Sequence, residues 1–274
     1  MKTTTRLRSS PARRALFVLA AIVAVFVLPL AYAVSTHYSD GPRATDWRTA
    51  RRDSTGIAPD PARTDEAIIH VYVARAFRWR GAFGVHSWIA AKPQRASAYT
   101  RFEVMGFGVA RGAPAVRVAP GVPDGHWFGS PPTLIRALRG GAEVDALIAR
   151  LHAAAAAYPH NHEYRIWPGP NSNTFIAHLG RAVPELKLHL PPTAIGKDYL
   201  PGGAIIARAP SGAGVQVSLG GLLGITIAPE EGFELNLLGL SAGIAPWPPT
   251  LKLPGIGALG FAASGAASGL PRTR

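Results

Sequence analysis

Twenty consecutive residues without a charge, from Ala15 to Val34, follow the start of the chain. An apolar helix needs roughly 20 residues to cross the hydrocarbon core of a bilayer, so this segment is long enough to span it. The leader before it, residues 1–14, contains five basic residues and no acidic one. Basic residues next to the first apolar segment favour a cytoplasmic N-terminus. The pattern predicts a single-pass helix of the inner membrane, with the remainder of the chain exported to its periplasmic or extracellular face.

A cleaved signal peptide is the alternative. Pro29 interrupts the apolar segment near its end, and Ala31-Tyr32-Ala33 has the small-x-small form of a cleavage site. The apolar segment is longer than the ~7–15 residues of a typical signal core, which favours a retained anchor. Both interpretations export the rest of the chain.

Residues 35–64 form a polar segment that we interpret as a linker. Three segments with the composition of β-strands follow it. The three segments are Ala67–Ala74, Gly84–Ala91 and Tyr99–Met105. They are rich in β-branched and aromatic residues, and a polar turn separates the second from the third. They predict an antiparallel meander.

Apolar residues at a spacing of three and four predict helices between Pro132 and Ala157, in two short pieces that meet at Gly140-Gly141. A further helix is predicted to begin near Ser172. The sequence therefore predicts an α+β domain over residues 65–260, in which a mainly antiparallel sheet packs with a few helices.

Glycine and proline divide the chain into short pieces after Pro184. Val215–Leu219 and Leu222–Ala228 have strand character and predict a hairpin joined at Gly220-Gly221. Residues 235–240 are a candidate for another strand. From Ala242 onward we expect no packed core, and residues 261–274 are predicted to be a flexible tail.

Charge and composition narrow the classes of partner. The chain has no cysteine, so an exported fold must be held by burial alone. Removing the five leader charges leaves 24 basic and 16 acidic residues, a net charge of about +8. Such a surface attracts membrane lipid or an anionic envelope polymer. No basic run is interleaved with stacking aromatics, and we expect no nucleic-acid partner.

The segment Asn171-Ser172-Asn173-Thr174-Phe175 is the first candidate site. Ser172 falls where a loop rich in glycine and proline turns into a helix. Unsatisfied N–H groups and the helix dipole at such an N-terminus stabilise a developing anion, as nucleophilic acyl chemistry requires. Ser and Asn are also preferred N-cap residues, so a purely structural role is the alternative.

His86 is the candidate base. On a strand it shares a face with Trp88, opposite to that of Val85 and Ser87. A hairpin centred near Gln94–Arg95 would place His86 directly opposite Glu103, whose carboxylate would orient the imidazole. A structural His–Glu contact, or a shifted register, is the alternative.

Other polar groups give weaker signals. His160 and His162 share one face, but no carboxylate or cysteine completes a metal set, so no metal is predicted. No cofactor motif has its structural context either: Gly212-x-Gly214 precedes no helix. If the catalytic contact is absent, a cleft lined by Asn171, Asn173, Trp88 and Tyr164 would still serve to bind a ligand.

Long motifs resemble the bacterial family called domain of unknown function 3750. They are HSWIAAKP from His86, EVMGFGV from Glu103, WPGPNSNTFIAHLG from Trp167, LPPTAIGKDYLP from Leu190 and LKLPGIG from Leu251. That family implies no established activity.

The order of a strand with His86, a further strand, a helix and then N-S-N-T-F is similar to the circularly permuted papain-like fold. PPPDE-type peptidases and lecithin:retinol acyltransferases have that fold. The resemblance covers residues 68–179 and implies that His86 is the base, that Ser172 replaces the family's cysteine, and that Glu103 is a possible third member. A hydroxyl is far less ionised than a thiol, so Ser172 would need stronger activation.

Two functions remain open. One is an envelope protein whose papain-like-derived pocket binds a lipid or a wall fragment. The other is a Ser/His-dependent hydrolase or acyltransferase acting on amide or ester bonds, with Ser172, His86 and Glu103 as its catalytic residues.

Overall fold

The computed structural model describes residues 11–39 and 44–260. One continuous helix, here called the N-terminal helix, covers Pro11–Ser39 and is long and apolar enough to cross a membrane. It consists of α1 (Pro11–Ile22), a π-helical segment (Val23–Val27) and α2 (Leu28–Ser39). The predicted apolar segment is thus helical, and the helix continues five residues beyond Val34.

The N-terminal helix packs on the rest of the protein along one stripe. Its buried residues recur at a spacing of three and four, which places them on a single helix face. They are Phe26, Pro29, Ala33 and His37. Leu30, Val34 and Thr36 beside this stripe are half-buried, and the remaining surface of the helix is exposed.

The first sheet has five antiparallel strands in the order β4-β3-β2-β1-β5. The three predicted strands are confirmed as neighbours in an antiparallel meander. The strands are β1 (Ala67–Arg75), β2 (Val85–Lys92), β3 (Thr100–Val104), β4 (Val116–Pro120) and β5 (Thr133–Gly140).

The prediction of two helices between Pro132 and Ala157 is wrong. The first half is strand β5, and only the second half is a helix, α3 (Ala142–Ala156). The pairing of β5 with β1 is shifted at Val71/Tyr72, so that Leu138 pairs with Ile69 whereas Leu134 pairs with Tyr72. This irregularity sends the two leucines into different clusters on opposite faces of the sheet. The same irregularity puts Ile135 and Leu138, three residues apart, against the main core, and this spacing imitates a helix.

Helices α3 and α4 (Ser172–Ala182) cover one face of this sheet. The main core lies between them and contains residues of β1, β2 and β3 together with the apolar sides of both helices. A smaller cluster on the opposite face includes Tyr72, Trp88 and Tyr99. His86 lies on β2, on the same face as this second cluster.

The second sheet has seven antiparallel strands in sequential order. The predicted hairpin is confirmed, with positive φ angles of 58° at Gly220 and 75° at Gly221. The expectation that no packed core exists beyond Ala242 is wrong, because three strands continue there and Lys252 is fully buried. The strands are β6 (Ile206–Ala207), β7 (Val215–Leu219), β8 (Leu223–Ala228), β9 (Gly232–Leu237), β10 (Leu240–Pro246), β11 (Pro249–Leu253) and β12 (Gly257–Gly260).

Part of the polar segment 35–64 is attached to the first sheet region. The buried carboxylate of Asp124 accepts hydrogen bonds from Ser54 Oγ at 2.7 Å, Ile57 N at 2.6 Å and Ala58 N at 3.0 Å. These bonds hold residues 54–58 beside the loop that carries Trp127. The predicted tail, residues 261–274, lies outside the described residues, as does the N-terminal part of the leader.

Candidate functional site

A cavity of about 850 Å³ lies among the N-terminal helix, the start of β2 and the start of α4. Leu30 of the N-terminal helix forms part of its wall, and Leu238 and Leu240 of the second sheet region form another part. The lining is mainly apolar. Its aromatic side chains include Trp47, Phe77, Phe83, Trp127, Phe128 and Trp167.

His86, Ser172, Asn171 and Asn173 all line this cavity. The cavity lining thus includes both the candidate base and the candidate nucleophile. The side chain of His86 nevertheless lies on the face of β2 opposite to the one on which Ser87 bonds to Asn173 of α4, and no hydrogen bond joins Ser172 to His86. Glu103 lines a smaller neighbouring cavity of about 390 Å³, which shares Trp127 and Phe128 with the large one. The remaining charged side chains of the large cavity's lining are Arg52 and Arg80.

The imidazole of His86 is held by Glu103 and Trp127, and Arg101 in turn holds Glu103. The imidazole Nε2 lies 3.3 Å from Glu103 Oε2, and Arg101 Nη2 donates to the same oxygen at 2.9 Å. The Trp127 indole stacks on the imidazole with ring centroids 3.5 Å apart. His86 is buried, whereas the Glu103 side chain is 14% exposed.

The predicted register between these strands is wrong by two residues. Residue numbers of paired positions sum to 191, as in the pair Ile89 and Phe102, so Glu103 is diagonal to His86 and not directly opposite. A shift by two leaves every side chain on the same face, because the period of a strand is two. The predicted proximity of the two side chains therefore holds despite the wrong register.

Electrostatics fix the charge states of this pair. Burial lowers the pKa of His86 below its usual value and outweighs the opposing effect of Glu103. Burial would raise the pKa of Glu103, but the hydrogen bond with His86 and the charge of Arg101 lower it to about 2. At neutral pH Glu103 is therefore an anion and His86 a neutral imidazole.

A carboxylate can only accept, so His86 must carry its proton on Nε2 and donate it to Glu103. This tautomer leaves the lone pair on Nδ1, which forms no hydrogen bond within the described part of the chain. Such an unprotonated nitrogen at a cavity can accept a proton, as a general base does.

Ser172 is the first residue of α4, as predicted, but it is not the N-cap. Asn171 is the cap: its Oδ1 accepts from the backbone N of Asn173 at 2.9 Å and of Thr174 at 3.2 Å. The hydroxyl of Thr174 in turn accepts from Asn171 N, which completes a capping box. Ser172 is thereby released from capping, and neither its Oγ nor its N–H bonds to any residue that the structure describes.

The side chains of Asn171 and Asn173 form hydrogen bonds within the fold. Asn171 Nδ2 donates to the carbonyls of Ile166 and Ile195. Asn173 Nδ2 donates to Val85 O at 3.0 Å and Ile195 O at 2.8 Å, while its Oδ1 accepts from Ser87 Oγ. These bonds join the start of α4 to the start of β2, and so fix Ser172 relative to His86.

Tyr164 and Trp88 occupy different positions. Tyr164 lines the cavity and lies against Gly106, where an added Cβ atom would clash with the ring. Trp88 is fully buried and does not line it. Its ring lies 5.8 Å from that of His86 and 4.7 Å from the Arg101 guanidinium. Trp88 therefore packs against two residues of the site without contacting the cavity.

Sequence reasoning missed three contributors to the site: Arg101, Trp127 and Leu30. The position of Arg101 could have been predicted from the sequence. Residues two apart on a strand share a face, and Arg101 precedes Glu103 by two. Trp127 lies on a loop and Leu30 on the N-terminal helix, and no local pattern places either at the cavity that His86 lines.

The remaining histidine candidates form no metal site. Within the described ranges no group of three or more His, Asp or Glu side chains has a geometry that could hold a metal ion. His160 packs edge-on against Tyr158 and Tyr199.

Residues 66–199 match the family described as "Protein of unknown function (DUF3750)". This match supports the family assignment that the motifs from His86 to Tyr199 indicate, whereas the motif from Leu251 lies beyond it. Neither a curated protein nor a solved structure matches the chain.

Proposed function

We propose that the chain is a membrane-anchored envelope protein whose large cavity binds a lipid, or a wall fragment that carries a lipid tail. The observation that carries the proposal is that Leu30, a residue of the N-terminal helix, belongs to the cavity wall. A helix that crosses the bilayer brings this wall next to the acyl chains, so that a tail can enter without crossing water.

The size and chemistry of the cavity support this ligand class. Small-molecule sites have volumes of roughly 300–1,000 Å³ and are mostly apolar, with a few polar groups that fix orientation. The lining here has that composition at about 850 Å³. Aromatic and aliphatic walls favour a hydrocarbon tail by burial of apolar surface.

The charged groups at the cavity favour an anionic head group. Arg52 and Arg80 line it, and among the residues that the structure describes no Asp or Glu belongs to its lining. The Arg52 guanidinium lies 4.6 Å from the centre of the Phe128 ring, which holds it at the wall. Guanidinium groups bind phosphate and carboxylate in a bidentate manner. A phospholipid or a lipid-linked phosphate combines both features.

Identification of bound lipid in the purified full chain tests the proposal. Protein extracted in mild detergent should retain an anionic lipid, measurable by mass spectrometry after organic extraction. In Ala76→Phe a ring is added at the cavity lining, and we expect retention to fall at least several-fold. Ala62→Phe adds the same ring on the exposed surface and is the matched control. Equal retention by both variants, or none by the wild type, would refute the proposal.

A Ser/His-dependent acyl transfer is the second candidate, favoured by the free hydroxyl of Ser172. Its Oγ would attack the acyl carbon of an ester or amide, His86 Nδ1 would accept the hydroxyl proton, and the alcohol or amine would leave with that proton. Glu103 would hold the imidazole in the required tautomer, as in other triads.

Labelling with a fluorophosphonate probe tests this candidate. Wild type should be labelled at Ser172, and Ser172→Ala and His86→Gln should lose the label. Ser87→Ala is the matched control, because Ser87 is also buried and hydrogen-bonds to Asn173. Absence of labelling in a wild-type protein that retains lipid would leave binding as the function and remove catalysis.

A further inference from the structure

The seven-stranded sheet has its apolar face outward. One row of directly paired side chains crosses six strands, and all of them are apolar and between 45% and 61% exposed. The row is Val215, Ile227, Phe233, Ile244, Leu251 and Leu259. A parallel row of Val217, Ile225 and Leu235 is also exposed.

The inner face of the same sheet is polar. Glu234 Oε2 accepts from Lys197 Nζ at 2.5 Å, and Glu234 Oε1 accepts from Lys252 Nζ at the same distance. Lys197 also donates to Asp198, which in turn accepts from Gln216 and Ser241. All of these side chains are buried.

The alternation is therefore the reverse of that in a water-soluble sheet, where apolar side chains point inward. Apolar-out and polar-in alternation is the pattern of lipid-facing strands. Contiguous exposed apolar surface larger than a few hundred Å² marks an interaction site. The charges of residues 204–260 do not interrupt this face: Glu231, Glu234 and Lys252 are buried, and Arg208 and Glu230 lie outside the strands.

The N-terminal helix packs on this sheet near the middle of its apolar segment. Strand β10 contacts the π-helical segment Val23–Val27. Ala242 of β10 pairs with Leu235 and so belongs to the outward face, yet it is buried. In the loop after β11, Gly255 lies against Ala33, where a Cβ atom would come within 2.8 Å. The apolar face of the seven-stranded sheet and the N-terminal helix thus form one continuous surface.

We propose that bilayer lipid covers the outward face of the seven-stranded sheet, beside the N-terminal helix. The contact between β10 and the π-helical segment gives the depth of the sheet in the bilayer. Strand β10 lies level with the centre of the apolar segment, where a spanning helix is surrounded by acyl chains. Trp247, at the tip of the β10–β11 hairpin, is 84% exposed. Trp is enriched where protein meets the membrane–water interface, and this side chain would lie in that layer.

Spin labels on the full chain in liposomes test this surface directly. The chain has no cysteine, so Ile227→Cys and Ile244→Cys each give a single labelling site. Ala62→Cys and Ala153→Cys, both exposed and outside the sheet, are the controls. All four variants retain the membrane helix. Labels on the sheet should collide with oxygen several-fold more often, relative to water-soluble nickel chelate, than the control labels do.

Two outcomes would overturn the proposal. Equal nickel accessibility at all four sites would show that the face is in water. Short label-to-label distances between two molecules, without oxygen enrichment, would show that a second copy covers it. A second measurement avoids labels: brominated acyl chains should quench part of the tryptophan fluorescence, and Trp247→Phe should remove part of that quenching. Unchanged quenching in Trp247→Phe would contradict the position given to the hairpin tip.

Discussion

The Trp127 indole lies flat on the His86 imidazole, with ring centroids 3.5 Å apart and an interplanar angle of 7°. Stacking fixes the plane of the imidazole, and the hydrogen bond to Glu103 fixes its rotation within that plane. The two contacts come from a loop and a strand that are distant in sequence. Together they hold one ring nitrogen at Glu103 and leave the other without a protein partner among the described residues.

The pKa of His86 should lie below 6.5 and fall further in Glu103→Gln. Burial lowers this pKa, and Glu103 is the group that opposes the effect. Removal of the carboxylate therefore leaves burial unopposed. NMR titration of the imidazole C–H signals, assigned by comparison with His86→Gln, measures both values. A higher pKa in Glu103→Gln would contradict the proposed charge states.

Acid should destabilise the fold through the same pair. The folded-state pKa is lowered for both groups, so the unfolded chain binds their protons first and stability falls as the pH falls. The loss of stability due to His86 begins near pH 6.5. The loss of stability due to Glu103 occurs between pH 4.5 and about pH 2. Denaturation in detergent across this range should show a smaller loss below pH 4.5 for Glu103→Gln than for wild type.

Asn171→Ala should destabilise the protein, and Ser172→Ala should not. Loss of an N-cap costs about 0.5–2 kcal/mol. Asn171 also bonds two loop carbonyls, so we expect the upper end of that range or more. Ser172 Oγ has no bond to lose among the described residues, and its removal should change the free energy of unfolding by less than about 0.5 kcal/mol. Denaturant midpoints of both variants give the comparison, and the opposite order would show that Ser172 is the cap.

Glu234→Ala should be among the most destabilising single changes. It leaves Lys252 and Lys197 buried without their shared carboxylate, and removal of one partner of a buried ion pair costs about 3–5 kcal/mol. Glu185→Ala is the control, since its pair with Arg150 at 2.6 Å is nearly half exposed and worth about 0–1 kcal/mol. Equal denaturant midpoints for the two variants would show that the network contributes little.

The intact chain should fractionate with membranes and resist extraction by high salt. We expect the mature protein to begin before Phe26, because Phe26 and Ala33 are buried against the rest of the protein and cleavage after Ala33 would remove both. N-terminal sequencing of the membrane-bound protein checks this. A mature N-terminus at Val34 would show that the segment is a cleaved signal.

The local sequence pattern was sufficient to predict those strands in which alternate residues face the same surroundings along the whole strand. The meander from Ala67 to Val104 was predicted within a residue or two, and the side of the strand that carries His86 was correct although the register was not. Period-two alternation determines the face, whereas register depends on where the turn lies. A shift by two residues thus changes the partner and keeps the face.

Strand β5 and the last three strands could not be predicted in the same way. In β5 a bulge moves Leu134 to the other face, and only the pairing with β1 reveals it. Beyond Ala242 the buried positions are polar or small, and rules that search for apolar inward positions find no core there. The site has the same limit: Trp127 reaches His86 through a loop whose path is set by bonds to Asp124 and by packing.

In the proposed membrane-anchored arrangement, the position of Leu30 would link the thickness of the membrane to the shape of the cavity. A spanning helix tilts when its apolar length differs from the thickness of the surrounding hydrocarbon. Because one side chain of that helix is part of the cavity wall, a change in tilt moves the wall. Under the proposed function, ligand affinity would then depend on the host membrane, and a thin bilayer and a thick one would present two different sites built from the same residues.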